Sequence, residues 1–128
     1  MSLLRWLYRI IDCMADPNLV IVMVTCPPGS SAKIARLLID EKLAACVNAI
    51  PAKSFYNWEG KYCQEQEDLL IIKGIKESYA NLERRIKAIH PYSTPEVIAL
   101  NVAAVSGEYA KWVVEQTASG DNFKPDKF

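Results

Sequence analysis

The apolar residues in the first third of the chain follow two patterns, one of a strand and one of a helix. A continuous apolar run at 19–26 is closed by Pro-Pro-Gly, which is typical of a central strand buried on both faces. Apolar residues then recur at helical spacing, so we predict a helix that begins at Ser30 or Ser31 and ends near Ala44. The apolar side of this helix is expected to cover a sheet.

The stretch 46–75 predicts one long β-hairpin. Two runs rich in β-branched and aromatic residues flank Glu59-Gly60, and glycine accepts the positive φ that a two-residue hairpin turn requires. This turn fixes one register, in which side chains alternate between the two sides of the hairpin. Pro51 requires an edge position or a bulge, because it has no N–H to donate. The predicted cross-strand pairs are Trp58 with Lys61, Asn57 with Tyr62, Tyr56 with Cys63 and Phe55 with Gln64.

Large aromatic side chains lie on both sides of this predicted hairpin. Tyr56 and Trp58 share one side with Glu65, and Phe55 shares the other side with Tyr62. A single subunit would leave this surface in water, and exposed apolar patches of this kind mark interfaces. We therefore predict that the hairpin contacts another copy of the chain. The alternative is that it lies flat on its own core.

Two more helices and one more strand are predicted in the second half of the chain. A helix starts at Glu77-Ser78 and stops at His90, because Pro91 disfavours helical geometry in the residue before it. A turn-rich connector follows, and residues 97–102 form the last strand. Ser106 then caps a third helix.

The resulting element order is β-α-β-β-α-β with an added C-terminal helix. This order is the α+β ferredoxin-like layout, a sandwich of one sheet with helices on one face. The other face needs a cover, from the hairpin, the third helix or a neighbouring subunit. We assign residues 18–117 to this domain, 1–17 to an N-terminal extension and 118–128 to a flexible tail. Within the extension, Met14 resembles an alternative start, and we predict that the residues before it are either dispensable or the product of a mis-called start.

Composition places the chain among single-domain globular proteins. Its 128 residues are enough for one hydrophobic core without metal or disulfide staples. Fifteen basic and fifteen acidic residues give a net charge of zero, which argues against sequence-independent nucleic-acid binding through phosphate neutralisation. The longest apolar run, at 19–24, is too short to cross a bilayer.

The four cysteines form neither a C-x-x-C pair nor a zinc-binding spacing with histidine. Most of them fall inside predicted strands or helices, where a cysteine is a small buried hydrophobe. Because the sequence has no convincing secretory signal, we expect reduced thiols and a cytoplasmic location.

Several short motifs follow one another along residues 19–116. They are Glu-Lys-Leu-Ala-Ala-Cys-Val-Asn at 41–48, Ile-Pro at 50–51, Tyr-Asn-Trp-Glu-Gly-Lys at 56–61, Glu-Gln-Glu at 65–67, Lys73, and His-Pro-Tyr-Ser-Thr-Pro-Glu at 90–96. Together and in this order they resemble the divalent-cation tolerance proteins (CutA). The resemblance implies a ferredoxin-like subunit in a compact homotrimer, similar in outline to nitrogen-regulatory PII proteins, with hairpins packed across subunit boundaries. It also implies a role in tolerance of divalent metals, copper in particular, with no established reaction and no required cofactor.

The resemblance further implies copper ligands at a cysteine that ends the first strand and at two adjacent histidines before Pro-Tyr. Here Val24 stands at the cysteine position, with Cys26 two residues further on, and Ile89 stands in place of the first histidine. His90 is therefore the remaining metal-ligand candidate, for Cu(II) or another divalent cation. A single imidazole is a weak transition-metal site. The alternative is that His90 ends its helix, bonds backbone carbonyls and interacts with the helix dipole.

The candidate intersubunit cleft consists of Tyr56, Trp58, Lys73, Tyr92 and Glu96. Tyrosine and tryptophan suit such a place, because the ring is buried while the OH or NH keeps a polar partner. The alternative is that these residues only pack the subunits of a trimer together.

These observations favour a binding or structural protein over an enzyme. The predicted protein is a metal-responsive homotrimer that binds copper or a small ligand, and its partners are copies of itself and divalent metal ions. The alternative is a small hydrolase similar to acylphosphatases, but the chain has no Gly-rich anion loop and only one histidine. RNA binding on the sheet would need an RRM motif that the sequence lacks. We therefore expect neither nucleic acid nor membranes as partners.

Overall fold

The structure is a computed structural model that describes residues 3–4 and 18–117. The predictions about Met14 and about the tail at 118–128 lie outside the described residues. No helix in the described part of the chain has the length and apolar character needed to span a membrane. The elements, in chain order, are β1 (Leu19–Cys26), a 3-10 helix (Pro28–Ser30), α1 (Ser31–Asp40), β2 (Cys46–Trp58), β3 (Lys61–Ile75), a 3-10 helix (Lys76–Ser78), α2 (Tyr79–Ile89), β4 (Ile98–Asn101) and α3 (Gly107–Thr117).

The strands form one antiparallel sheet of four, in the order β2-β3-β1-β4. With α1 after β1 and α2 after β3, this is the ferredoxin-like α+β fold, and the predicted element order is confirmed. β1 lies inside the sheet, as its apolar run indicates, whereas β2 is an edge strand. Pro51 therefore has the edge position that its missing N–H requires.

The main core lies between the sheet and the helices α1 and α2. Alternate residues of β1 point toward these helices, because successive side chains of a strand face opposite ways. Burial of this apolar surface is the main favourable term that holds the two layers together. The buried set comprises Val20, Val22, Val24, Cys26, Ile34, Leu38, Ala44, Leu70, Ile72, Leu82 and Ile86.

The opposite face of the sheet is covered at one end only. There Val113 of α3 packs against Leu19 and Ala45. Farther along this face lie Ile98 and Leu100 of β4, whose β1 partners alternate with the valines of the main core. Ile98 is 49% exposed, and Leu100 is exposed as well. Helix α3 thus covers part of the sheet face for which the sequence analysis predicted a cover. The rest of this face is open in a single chain.

The turn between β2 and β3 has the backbone conformation expected of a two-residue hairpin loop. Glu59 has a φ of 52° and Gly60 a φ of 81°, and two successive positive φ values match the twist of the flanking strands. The predicted register is confirmed. The observed pairs are Trp58 with Lys61, Asn57 with Tyr62, Tyr56 with Cys63 and Phe55 with Gln64.

Helix α1 ends at Asp40, earlier than the predicted end near Ala44. Lys42 has a φ of 61°, so the backbone leaves the helix there. The N–H of Leu43 donates to the carbonyl of Leu38 at 2.9 Å, which satisfies one of the last helical carbonyls. A left-handed residue at this position is usually glycine, and a lysine there gives no sequence signal for the helix end.

The ends of the other helices follow the predicted signals. The Oγ of Ser106 accepts a hydrogen bond from the backbone N–H of Tyr109 at 3.2 Å, so the predicted cap of α3 is confirmed. Helix α2 ends at Ile89, and His90 is extended with a ψ of 141°, as the following proline requires. At the start of α1, by contrast, Ser30 makes no capping hydrogen bond with its side chain.

Replacing Gly74 by alanine should destabilise the fold. A Cβ at this position in β3 would lie 3.0 Å from the backbone carbonyl oxygen of Leu43, so the strand or the loop after α1 must move. We expect Gly74→Ala to lower the free energy of unfolding by about 1–3 kcal/mol, measured by urea denaturation at fixed protein concentration. Gly29→Ala is the matched control, because a Cβ there meets open space. Equal stability of the two variants would contradict the close approach.

Candidate functional site

A cavity of about 660 Å³ lies between the hairpin and the loop of residues 90–96. We call it the acidic-aromatic cavity, because carboxylates and aromatic rings dominate its walls. The hairpin supplies most of the ring and carboxylate side chains, and the 90–96 loop closes one side. The lining consists of the acids Glu65, Glu67 and Glu96, the aromatics Phe55, Tyr56, Trp58 and Tyr92, and the smaller residues Thr25, Ser54, Ser93, Thr94 and Pro95.

The most buried acid of the cavity is Glu67 of β3, which is 5% exposed. The hydroxyl of Tyr92 donates a hydrogen bond to its Oε2 at 2.7 Å. Burial, followed by this bond to a carboxylate, raises the pKa of Tyr92 above its ordinary value. The phenol therefore stays protonated at neutral pH and acts as a donor to Glu67.

A second tyrosine and a second carboxylate form a similar pair on the hairpin. Tyr56 lies opposite Cys63 and Ser54 lies opposite Glu65, so Tyr56 and Glu65 are diagonal neighbours on one side. The hydroxyl of Tyr56 donates to Glu65 Oε1 at 2.7 Å. This hydrogen bond is the main reason why the pKa of Tyr56 is raised to about 12. Both tyrosines are thus fixed as donors to carboxylates in the cavity wall.

His90 positions the 90–96 loop through both nitrogens of its ring. The backbone N–H of Tyr92 donates to Nδ1 at 3.0 Å, so Nδ1 is an acceptor and Nε2 carries the proton. Nε2 then donates to the carbonyl oxygen of Thr25 in β1 at 2.8 Å. The carbonyl belongs to a distant strand and not to the helix that His90 ends. These two bonds place the Tyr92 ring, 4.8 Å from the imidazole, against the cavity.

The residues of one chain do not fit a metal ion at His90. His90 is 8% exposed, and both nitrogens of its ring already have hydrogen-bond partners. At the two positions where the family resemblance implies ligands, Val24 is fully buried in the core and Ile89 packs against it. No group of three or more histidine, cysteine, aspartate or glutamate side chains in residues 3–4 and 18–117 is arranged to hold a metal ion.

Cys26 does not supply the missing ligand. It is fully buried at the end of β1. Burial, with smaller contributions from Asp68 and Glu67, raises the pKa of the Cys26 thiol to about 11. Because metals bind the thiolate, the burial and the raised pKa disfavour this thiol as a ligand in a single, metal-free chain.

Four of the five residues predicted for the intersubunit cleft line the cavity together. These are Tyr56, Trp58, Tyr92 and Glu96. Lys73 lies elsewhere, at the other end of β3, where it pairs with Cys46 in the register. Its ammonium group hydrogen-bonds to the side-chain oxygen of Asn48 and lies 3.8 Å from the sulfur of Cys46. The assignment of the four others to a boundary between subunits stays a prediction.

The sequence analysis did not identify Glu65 and Glu67 as site residues, although these two acids accept the tyrosine hydroxyls in the cavity. Glu65 and Glu67 of β3 lie on the side of the hairpin that carries Tyr56, and the predicted register already placed Glu65 on that side. A search for polar partners of the hairpin tyrosines would therefore have found Glu65. The pairing of Glu67 with Tyr92 had no local signal, because the loop position of Tyr92 depends on His90 and Thr25.

Removing the hydroxyl of Tyr92 should destabilise the protein. Tyr92→Phe leaves the buried carboxylate of Glu67 without its phenol donor, and hydrogen bonds to charged groups contribute about 1.5–3 kcal/mol. We expect the free energy of unfolding in urea to fall by about that amount. Tyr62→Phe is the control, because Tyr62 is 66% exposed and its hydroxyl makes no hydrogen bond to the described residues. A Tyr92→Phe protein as stable as Tyr62→Phe would show that the bond contributes nothing.

Comparison with known proteins gives one consistent result. The family model described as CutA1 divalent ion tolerance protein matches residues 20–116. The divalent-cation tolerance protein CutA of Thermus thermophilus is 41% identical over 99 residues, which cover 76% of this chain and 96% of that protein. Its counterpart in Pyrococcus horikoshii is 38% identical over 100 residues, which cover 77% and 98%. The crystal structure of CutA from Xylella fastidiosa has a TM-score of 0.77 at 37% identity and covers 79% of this chain and 99% of that chain. The chain therefore belongs to the CutA1 divalent ion tolerance protein family.

Proposed function

We propose that this member of the divalent ion tolerance family works as a homotrimeric binding protein whose acidic-aromatic cavity takes a small ligand. The observation that carries the proposal is a roomy cavity whose two hairpin-side carboxylates are held in place by tyrosine hydroxyls. Pockets with aromatic walls and a few fixed polar groups are typical ligand sites.

Binding without a reaction fits the cavity better than hydrolysis of an acyl phosphate. Glu65, Glu67 and Glu96 line the cavity, and no lysine or arginine is among its described lining residues. A phosphate group would be repelled by these carboxylates, whereas phosphoryl chemistry needs positive charge around the reacting oxygens. No comparison favours the hydrolase alternative, and the relatives are named for tolerance.

The open part of the sheet supports assembly with further copies. Ile98 and Leu100 of the edge strand β4 are exposed, and so are Phe55, Trp58 and Tyr62 near the hairpin turn. Exposed apolar surface of this kind favours aggregation in a single chain, and it is taken out of water when another chain covers it. Three as the number of copies rests on the resemblance to the family. Since Cys26, Cys46 and Cys63 are free thiols, we also propose the cytoplasm as the location.

A charge on β4 should break the proposed assembly. We expect the parent protein to be a trimer by light scattering at micromolar concentration, and Ile98→Glu to dissociate, because the new carboxylate would be buried in the interface. The control is Ile39→Glu on α1, where the isoleucine is 42% exposed against 49% for Ile98. A monomeric parent, or an Ile98→Glu protein that stays as large as the parent, would overturn the assembly proposal.

Cu(II) binding by the protein should not depend on His90. Both ring nitrogens are occupied, and a bound ion would have to displace the N–H of Tyr92 or the proton on Nε2. In titration calorimetry with Cu(II), we expect His90→Gln to bind as the parent does, since glutamine keeps a donor for the Thr25 carbonyl. Loss of Cu(II) binding in a folded His90→Gln protein would instead make His90 a ligand, as the sequence analysis predicted.

A further inference from the structure

The negative charge of the acidic-aromatic cavity has no counter-charge within the described lining. Among the described residues, three carboxylates and no basic side chain line the cavity. The hydrogen bonds that Glu65 and Glu67 accept come from the neutral hydroxyls of Tyr56 and Tyr92. A tyrosine orients a carboxylate but does not neutralise it, so the wall of the cavity attracts cations.

One oxygen atom of Glu67 is the specific place where a cation would bind. Only 5% of the residue is exposed. Its Oε2 accepts the hydroxyl of Tyr92, whereas its Oε1 accepts no hydrogen bond from any residue in the described part of the chain. A buried carboxylate with a vacant acceptor is costly unless a donor reaches it, and a positively charged donor compensates best.

The aromatic rings decide which kind of cation fits. The rings of Tyr56 and Trp58, which share the side of the hairpin that carries Glu65, and of Tyr92 line the same cavity, and the faces of such rings attract organic cations. A bare divalent ion requires several converging oxygen, nitrogen or sulfur donors, and no such group of three acidic, cysteine or histidine side chains occurs in the described residues. The volume of about 660 Å³ also lies in the range of small-molecule sites.

From these observations we propose that the cavity binds an organic ammonium ion, a protonated primary amine whose N–H groups donate to the carboxylates and whose carbon chain contacts the rings. A primary ammonium has three donors, which suits the vacant acceptor of Glu67 better than a quaternary ion. This assignment rests on the proposed function, in that it takes the cavity to be a ligand site, and it names the class of ligand.

The probe for the test is n-butylammonium chloride, titrated calorimetrically into the full chain at constant ionic strength. The comparison ligands are 1-butanol, which has the same chain without charge, and butanoate, which has the opposite charge. We expect butylammonium to bind at least about tenfold more tightly than 1-butanol, because a charge-assisted hydrogen bond to a buried carboxylate is lost with the alcohol. Butanoate should not bind.

Substitutions of single residues test whether Glu67 and Trp58 bind the ammonium ion. Glu67→Gln keeps an acceptor for Tyr92 but removes the charge, so we expect butylammonium affinity to fall about tenfold or more. Glu115→Gln, at an exposed position of α3 outside the cavity lining, removes the same charge and should bind like the parent. Should Glu67→Gln fail to fold, the partly exposed Trp58 provides a second variant, and Trp58→Leu should weaken butylammonium binding by about two- to fivefold.

The outcomes separate this assignment from the proposed function. Equal binding of butylammonium and 1-butanol, binding of butanoate alone, or parent-like affinity in a folded Glu67→Gln protein would overturn the ammonium assignment and leave the cavity as a ligand site. No binding of any probe would overturn both. Binding of butylammonium only by the dissociated Ile98→Glu protein would show that a side chain of a second copy fills the cavity, and would overturn the assignment as well.

Discussion

The turn at Glu59 and Gly60 is the constraint on which the candidate site depends. Its two positive φ values admit a single register for the long β2-β3 hairpin. A slip by one residue would move every side chain of one strand to the opposite side. Tyr56 would then lose Glu65, and the carboxylates of β3 would no longer face the rings of β2. The chemistry of the cavity is therefore a consequence of backbone geometry at a turn that contributes no side chain to the cavity itself.

The other half of the cavity depends on one histidine. The 90–96 loop contains two prolines, which remove N–H donors and disfavour helix, so it has little regular structure of its own. His90 replaces that structure by bonding Thr25 with one nitrogen and Tyr92 with the other. A residue that one would examine first for metal binding thus acts as a connector between β1 and the loop. Its neutral tautomer is required for this role, since a proton on Nδ1 would oppose the N–H of Tyr92.

The local features of the fold could be predicted from the sequence, and the contacts between distant segments could not. The hairpin register followed from one turn and the alternation of side chains, and the end of α2 followed from Pro91. The end of α1 was missed because Lys42 adopts a left-handed conformation that its residue type does not announce. Lys73 was grouped with the cavity residues because of its motif, but the length of β3 separates it from them. The hydrogen bond of His90 to Thr25 could not be predicted, because Thr25 lies on β1, far from His90 in the sequence.

The open face of the sheet and the cavity are two surfaces that a single chain leaves uncovered, and they differ in chemistry. The face around Ile98 and Leu100 is apolar, and only another apolar surface can cover it without cost. The cavity around Glu67 is charged, and an apolar surface laid over it would bury the carboxylate without compensation. The hairpin belongs to both regions, since its strands extend from the sheet to the cavity wall. A cation that binds the assembled form more tightly than the single chain must therefore also strengthen the assembly, because binding and association are linked through the same folded state.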